Sequence, residues 1–128
     1  MKKKKSTEAF LELVRAGLWE KETRLLSFGE VDYNGVMRLA EMQCIDGLVT
    51  AGIEHIQDVR PPHEVVLQFI GQSFQIEQRN RAMNNFIAEI VDKMREKDIY
   101  TLLVKGQGIA QCFERPLWRT WLVIGFII

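Results

Sequence analysis

Residues 102–108 have the sequence Leu102-Leu103-Val104-Lys105-Gly106-Gln107-Gly108, an apolar run that ends in a glycine turn. Residues 99–104 are rich in strand formers, and residues 109–113 can form a short helix after the turn. A strand, a glycine turn and a helix in this order can present backbone N–H groups to a phosphate. The stretch therefore predicts β structure in an otherwise helical chain, and it marks a candidate phosphate-binding turn.

The residues before this stretch have the apolar spacing of helices. The helices are predicted from Ser6 or Thr7 to about Trp19, over residues 31–44 and over residues 45–56. Lys2 to Lys5 precede them, and we expect these lysines to form a disordered basic tail. Gly47 and Gly52 lie on a side of the third helix that another helix could approach closely.

A long helix is predicted after Pro61-Pro62, because apolar residues recur every seven positions as far as about residue 97. Ser73 and Asn80 interrupt the second apolar stripe of this helix, which favours packing within the domain over a coiled coil. The predicted organisation is a basic tail at 1–5, a helical region at 6–60, the long helix at 61–98 and a strand-turn-helix-strand unit at 99–128. The predicted fold class is therefore α+β, a mostly helical N-terminal region that leads into an incomplete mixed sheet.

Composition limits the classes of function that the chain can have. Its 128 residues suffice for one domain, and 17 basic residues balance 17 acidic ones, so no net field attracts nucleic acid or an anionic membrane. Glu8 and Glu12 interrupt the segment where an export signal would need an apolar core. With two distant cysteines and no CxxC pair, we expect a cytoplasmic protein. Residues 117–128 are strongly apolar but shorter than the roughly 20 residues of a membrane-spanning helix.

Three sequence blocks follow one another along the chain. They are Arg-Ala-Gly-Leu-Trp at 15–19, Glu-Gln-Arg-Asn-Arg at 77–81 with Met83-Asn84, and Leu-Val-Lys-Gly-Gln-Gly at 103–108 with Pro116, Leu117 and Arg119. In this order the blocks resemble the bacterial uncharacterised nucleotidyltransferases of the DNA polymerase β-like superfamily. The resemblance extends from about Phe10 to Thr120.

The resemblance implies transfer of a nucleotide from a nucleoside triphosphate to an acceptor hydroxyl, with Mg²⁺ as the metal. It implies that the glycine turn binds the triphosphate. The candidate nucleotide-binding residues are Lys105, Gly106, Gln107, Gly108 and Arg119. Whether Arg79 or Arg81 also approaches the nucleotide stays open, because a solvent-exposed helix face explains these arginines equally well.

The sequence departs from the family pattern where the resemblance implies an Asp-x-Asp metal-binding pair. Trp-Leu-Val-Ile-Gly occupies residues 121–125, and no Asp or Glu follows Glu114. We therefore expect no metal ligands, no catalytic residues, weak nucleotide binding and no good Mg²⁺ site in this chain. A truncation, with a changed reading frame from about Trp121, would explain the pattern, and the chain would then be an inactive N-terminal portion.

Several side chains have simpler interpretations. His55 and His63 are expected to be solvated rather than metal-bound, and Glu20 is expected to be an ordinary surface charge. The alternative to a nucleotidyltransferase is a helical protein–protein interaction module without enzymatic activity. In either case we expect self-association through the apolar C-terminal residues, because some of residues 117–128 would stay exposed.

Overall fold

The computed structural model describes the backbone of residues 2–120 and 126–127 and the side chains of residues 4–120. Five α-helices follow one another along the described chain. They are α1 (Lys2–Trp19), α2 (Tyr33–Met42), α3 (Asp46–Glu54), α4 (His63–Arg95) and α5 (Gln107–Ala110). Two 3₁₀ turns lie at Leu26–Phe28 and Pro116–Trp118. Helix α1 begins at Lys2, so the lysines that were expected to be a disordered tail continue the helix instead.

The core lies where α1, α2, α3 and the first half of α4 meet. Its buried apolar residues are Phe10, Leu13, Leu25, Val36, Ala40, Val49, Ile53 and Phe69. Those of α1, α2 and α3 are spaced three or four residues apart within their helix, as the apolar pattern of the sequence predicts, and Phe69 of α4 and Leu25 complete the core. Burial of these faces, rather than helix propensity alone, stabilises helices of 9 or 10 residues such as α2 and α3.

Helices α1 and α3 cross with their backbones in contact. A Cβ atom built on Gly52 would lie 2.0 Å from the carbonyl oxygen of Leu13, and one built on Gly17 would lie 1.8 Å from that of Leu48. Neither distance leaves room for a side chain. The prediction that a neighbour could approach α3 closely at Gly47 and Gly52 is confirmed. Gly52 meets α1, and a Cβ atom built on Gly47 would lie 1.9 Å from the carbonyl oxygen of Trp118.

The α+β prediction is wrong, because the described residues are mostly helical and contain no mixed sheet. Their strands are β1 (Leu102–Leu103) and β2 (Phe126–Ile127), which pair antiparallel over two residues each. The second strand predicted at 117–128 begins as the Pro116–Trp118 turn, while residues 121–125 and 128 lie outside the described residues. One physical reason is that the Asn80 side chain donates hydrogen bonds to the carbonyl oxygens of Leu117 and Arg119. In a sheet these oxygens would accept from the backbone N–H groups of a neighbouring strand.

Among the residues that the structure describes, none of the helices is both long enough and apolar enough to cross a membrane. This includes α4, which has 33 residues and presents many charged side chains. At about 1.5 Å per residue, α4 is roughly 50 Å long. The first half of α4 packs on the core, and the second half reaches the region of the glycine turn.

Candidate functional site

The glycine turn joins β1 to α5, and Gly106 is the residue that makes the change of direction possible. Its φ of 60° and ψ of −115° are strained for any residue with a side chain. The N–H groups of Gly108, Ile109 and Ala110 donate to carbonyls within the turn. Gly106 and Gln107 are both buried. Lys105, beside them, is exposed.

Gln107 points away from solvent and toward the long helix. It is 5% exposed, and its Nε2 donates to Oδ1 of Asn80 over 3.2 Å. Asn80 is 4% exposed, and its Nδ2 donates to the carbonyl oxygens of Leu117 at 2.6 Å and Arg119 at 2.7 Å. A buried amide is costly without such partners, and Asn80 has three. Asn80 thus joins the glycine turn to residues 117–119.

Arg119 lies on the other side of this junction. Its guanidinium stacks 3.8 Å from the centre of the Phe113 ring, and burial lowers the pKa of Arg119. The group stays charged at neutral pH, because an arginine pKa is far above 7 even when it is lowered. A partly buried cation of this kind attracts an anion more strongly than an exposed lysine does.

The structure brings some of the predicted site residues together and not others. The Gln107 side chain and the backbone carbonyl of Arg119 are connected through Asn80, whereas the Arg119 guanidinium lies over Phe113. Gly108 supports the turn, because a Cβ at this position would lie 2.6 Å from the carbonyl oxygen of Leu103. Lys105 stays exposed at the edge of the turn, where it contributes charge without a fixed partner geometry.

A cavity of about 370 Å³ lies between α4 and the turn. Its lining residues are Ile76, Arg79, Asn80, Ala82, Met83, Phe86, Gln107 and Thr120. Arg79 belongs to this lining, whereas the Arg81 guanidinium is held by Glu77 one turn away, at 2.7 Å. Of the two arginines that the sequence left undecided, Arg79 is therefore the one that faces the candidate site.

Sequence reasoning did not assign Asn80 to the site, although the sequence contains a signal for it. Asn80 interrupts an apolar stripe of a long helix, and a polar residue at such a position must have a buried partner. The same signal identifies Ser73, which is 1% exposed and whose Oγ donates to Thr50 Oγ1 over 2.8 Å. The two side chains bond to different parts of the fold, since Ser73 contacts α3 and Asn80 contacts the glycine turn.

A second polar cluster fixes residues 114–118 to the ends of α1 and α3. The Arg115 guanidinium donates to Glu20 at 2.6 and 3.1 Å and to Glu54 at 2.8 Å, and it stacks over Trp118. Glu20 also contacts Nε2 of His55. Glu20 and His55 are therefore not the free surface charge and solvated ring that the sequence predicts. Burial raises the pKa of Glu20, but hydrogen bonds from Arg115 and His55 outweigh it, so the net shift is downward.

Comparisons with known proteins give one match. A family model described as an uncharacterised nucleotidyltransferase matches residues 29–121. The match includes the block at 77–81, the glycine turn and Arg119, whereas the block at 15–19 lies outside it. No curated protein and no solved structure matches the chain.

Proposed function

Because the chain belongs to the family of uncharacterised nucleotidyltransferases, we propose that residues 105–108 and Arg119 bind the triphosphate of a nucleoside triphosphate. The observation that carries the proposal is the Asn80 junction, which ties the Gln107 side chain to the backbone carbonyl of Arg119 within the matched region, while the Arg119 guanidinium stacks on Phe113. Lys105 and Arg119 would supply the cations, and the backbone of the glycine turn the N–H groups, that phosphate oxygens need.

The reaction proposed for the family is transfer of a nucleoside monophosphate. An acceptor hydroxyl oxygen forms a bond to the α-phosphorus, the bond from that phosphorus to the bridging oxygen breaks, and pyrophosphate leaves with the electron pair. The acceptor proton passes to a base. Mg²⁺, when bound, would neutralise charge on the phosphate oxygens.

The residues present here do not fit that metal. Mg²⁺ prefers carboxylate oxygens, and residues 115–128 contain no Asp or Glu. Within residues 4–120, no group of three or more His, Cys, Asp or Glu side chains is placed to hold a metal ion. We therefore propose that residues 1–128 bind a nucleotide weakly in the cytoplasm and do not turn it over.

A titration of the ¹⁵N-labelled protein with Mg-ATP tests this proposal. We expect amide signals of residues 106–109 to shift, and Lys105→Gln to weaken the binding several-fold because one cation is lost. Lys5→Gln, an exposed lysine on α1, serves as the matched control and should leave the titration unchanged.

The proposal fails if the signals of residues 106–109 do not respond to Mg-ATP, or if Lys5→Gln has the same effect as Lys105→Gln. Pyrophosphate release is measured on the same samples. Losing the metal ligands removes several kcal/mol of stabilisation from the transition state, so turnover should lie orders of magnitude below that of an ordinary enzyme. Release at an ordinary enzymatic rate would contradict the second part of the proposal.

A second candidate function is supported by an exposed apolar stripe on α4. Leu67, Ile70 and Phe74 are three and four residues apart and are all about half exposed or more. Such a stripe is typical of a helix that packs against another protein. Self-association through the apolar residues at the C-terminal end remains part of this candidate, although residues 121–125 and 128 lie outside the described residues. Sedimentation of the protein over a range of concentrations separates a monomer from an oligomer.

A further inference from the structure

The cavity between α4 and the glycine turn is lined mainly by apolar atoms, to which Met83 and Phe86 contribute. Arg79 and Gln107 also line it and add polar groups. Its volume of about 370 Å³ lies within the range of small-molecule sites. A ligand that matches this lining has an apolar planar part and an anionic part.

The exposure of Phe86 indicates that the planar part of the ligand would stack on this side chain. It is 55% exposed although it is a large aromatic residue, and its ring borders the cavity. Leaving so much apolar surface in water costs free energy that a stacked ligand would recover. Aromatic side chains stack on all nucleobases, because every base presents a π face.

The position of Arg79 indicates where the anionic part of the ligand would lie. It lies on the same helix as Phe86, two turns earlier, and borders the same cavity as Gln107 of the glycine turn. Arg81 is held by Glu77 and does not line the cavity. Of residues 105–108, Gln107 lines this cavity, so phosphates held beside Gln107 would share the cavity with Arg79, and the remainder of the nucleotide would extend along α4 toward Phe86.

We propose that this cavity is the nucleoside subsite, in which Phe86 stacks on the base of a nucleotide whose phosphates lie between Arg79 and the glycine turn. The inference rests on the proposed function, since it places the base only if the turn binds the phosphates. Stacking is tolerant of base identity, and both amide hydrogens of Asn80 are held by backbone carbonyls. The subsite should therefore bind ATP and GTP with similar affinity.

The test compares ATP with inorganic tripolyphosphate, which has the phosphates and no base. Both are titrated, with Mg²⁺, into the unmodified protein, Phe86→Ala, Phe86→Tyr and Phe74→Ala. Phe74 is the matched control, because it is 58% exposed on the same helix and does not line the cavity. We expect Phe86→Ala to weaken ATP binding about tenfold and to leave tripolyphosphate binding unchanged within twofold. Phe86→Tyr keeps the ring and should keep the affinity for ATP, and Phe74→Ala should change neither ligand.

Each other result has a distinct meaning. If the unmodified protein binds neither ATP nor tripolyphosphate, the proposed function and the nucleoside subsite fall together. If it binds tripolyphosphate and Phe86→Ala leaves ATP binding intact, the subsite alone is wrong. A loss of both ligands in Phe86→Ala, with the circular dichroism of the folded protein retained, would also overturn the stacking role, because the change would then act on the phosphates. If Phe86→Ala does not fold, a loss of ATP binding in folded Phe86→Tyr, which keeps the ring, would overturn it instead.

Discussion

The N-terminal helices and the region around the glycine turn are held together by different kinds of contact. Helices α1 and α3 meet backbone to backbone at Gly17 and Gly52, around a core of buried apolar side chains. The turn region instead depends on polar side chains that are far apart in sequence. Asn80 and Gln107 are 27 residues apart, and Arg115 and Glu20 are 95 apart. The first region should therefore respond most to changes of volume, and the second to loss of single hydrogen-bonding groups.

The largest effect is expected from Gly52→Val. Its Cβ would lie within 2.0 Å of the Leu13 carbonyl oxygen, so α1 and α3 would have to move apart. Overpacking of this kind should lower the free energy of unfolding by about 3 kcal/mol or more. Urea unfolding, followed by circular dichroism, measures the change.

Gly71→Ala is the matched control for Gly52→Val. Gly71 lies inside α4, and a Cβ there would have no atom within 4 Å. Alanine should therefore stabilise the helix by about 0.8 kcal/mol. Equal stability changes at Gly52 and Gly71 would show that the close crossing of α1 and α3 does not limit the fold.

The next largest effect is expected from Asn80→Leu. The substitution leaves the Gln107 amide and two backbone carbonyls without their buried partner, which should cost about 2–3 kcal/mol. Hydrogen exchange should become faster at residues 106–110 and 117–119, because Asn80 connects these segments. Loss of the junction should also weaken the response of the turn to Mg-ATP.

Ser73→Ala is the comparison for Asn80→Leu, since both remove a buried hydrogen bond from the same helix. Ser73 contacts Thr50 of α3, and Thr50 keeps its bond to the carbonyl of Asp46. We expect a loss of about 1 kcal/mol, without faster exchange at the turn. If both variants change exchange in the same residues, the turn is not held by Asn80 in particular.

The contrast between the regions also explains what the sequence could predict. The four larger helices and the core were predictable, because their apolar residues repeat with the period of a helix. The glycine turn was predictable as a local motif, since Gly106 precedes a short helix. The family match over residues 29–121 includes the glycine turn and Arg119, two of the features on which the resemblance to nucleotidyltransferases was based.

The mixed sheet was predicted wrongly because strand propensity is a local property, whereas pairing requires a partner. Leu102 and Leu103 pair over two residues only, and Pro116 begins a 3₁₀ turn where a second strand was expected. The contacts of Asn80 with residues 117–119 could not be located from the sequence, because no local pattern specifies which carbonyls a buried amide will meet. The interaction of Glu20 with Arg115 was missed for the same reason.

The smallest effect is expected from Arg115→Gln, and it should depend on pH. Burial raises the pKa of Glu20, but the hydrogen bonds from Arg115 and His55 lower it by more. The net pKa therefore lies below its ordinary value of 4.5. A carboxyl whose pKa is lower in the folded state stabilises the fold above its unfolded pKa and loses that contribution as pH falls through the folded value. The unmodified protein should therefore lose stability below about pH 4.5.

Arg115→Gln should flatten this loss, because Glu20 then titrates closer to its unfolded pKa. At pH 7 the substitution should cost about 1 kcal/mol, since the Arg115 ion pairs are partly exposed. Arg81→Gln is the control, because it removes an ion pair with Glu77 inside one helix and should cost only about 0.3–0.5 kcal/mol. Urea unfolding from pH 3 to pH 7 distinguishes the two. If Arg115→Gln and Arg81→Gln give the same pH profile, the contact across 95 residues of sequence adds nothing beyond an ordinary helix ion pair, and the turn region is then held by Asn80 rather than by charge.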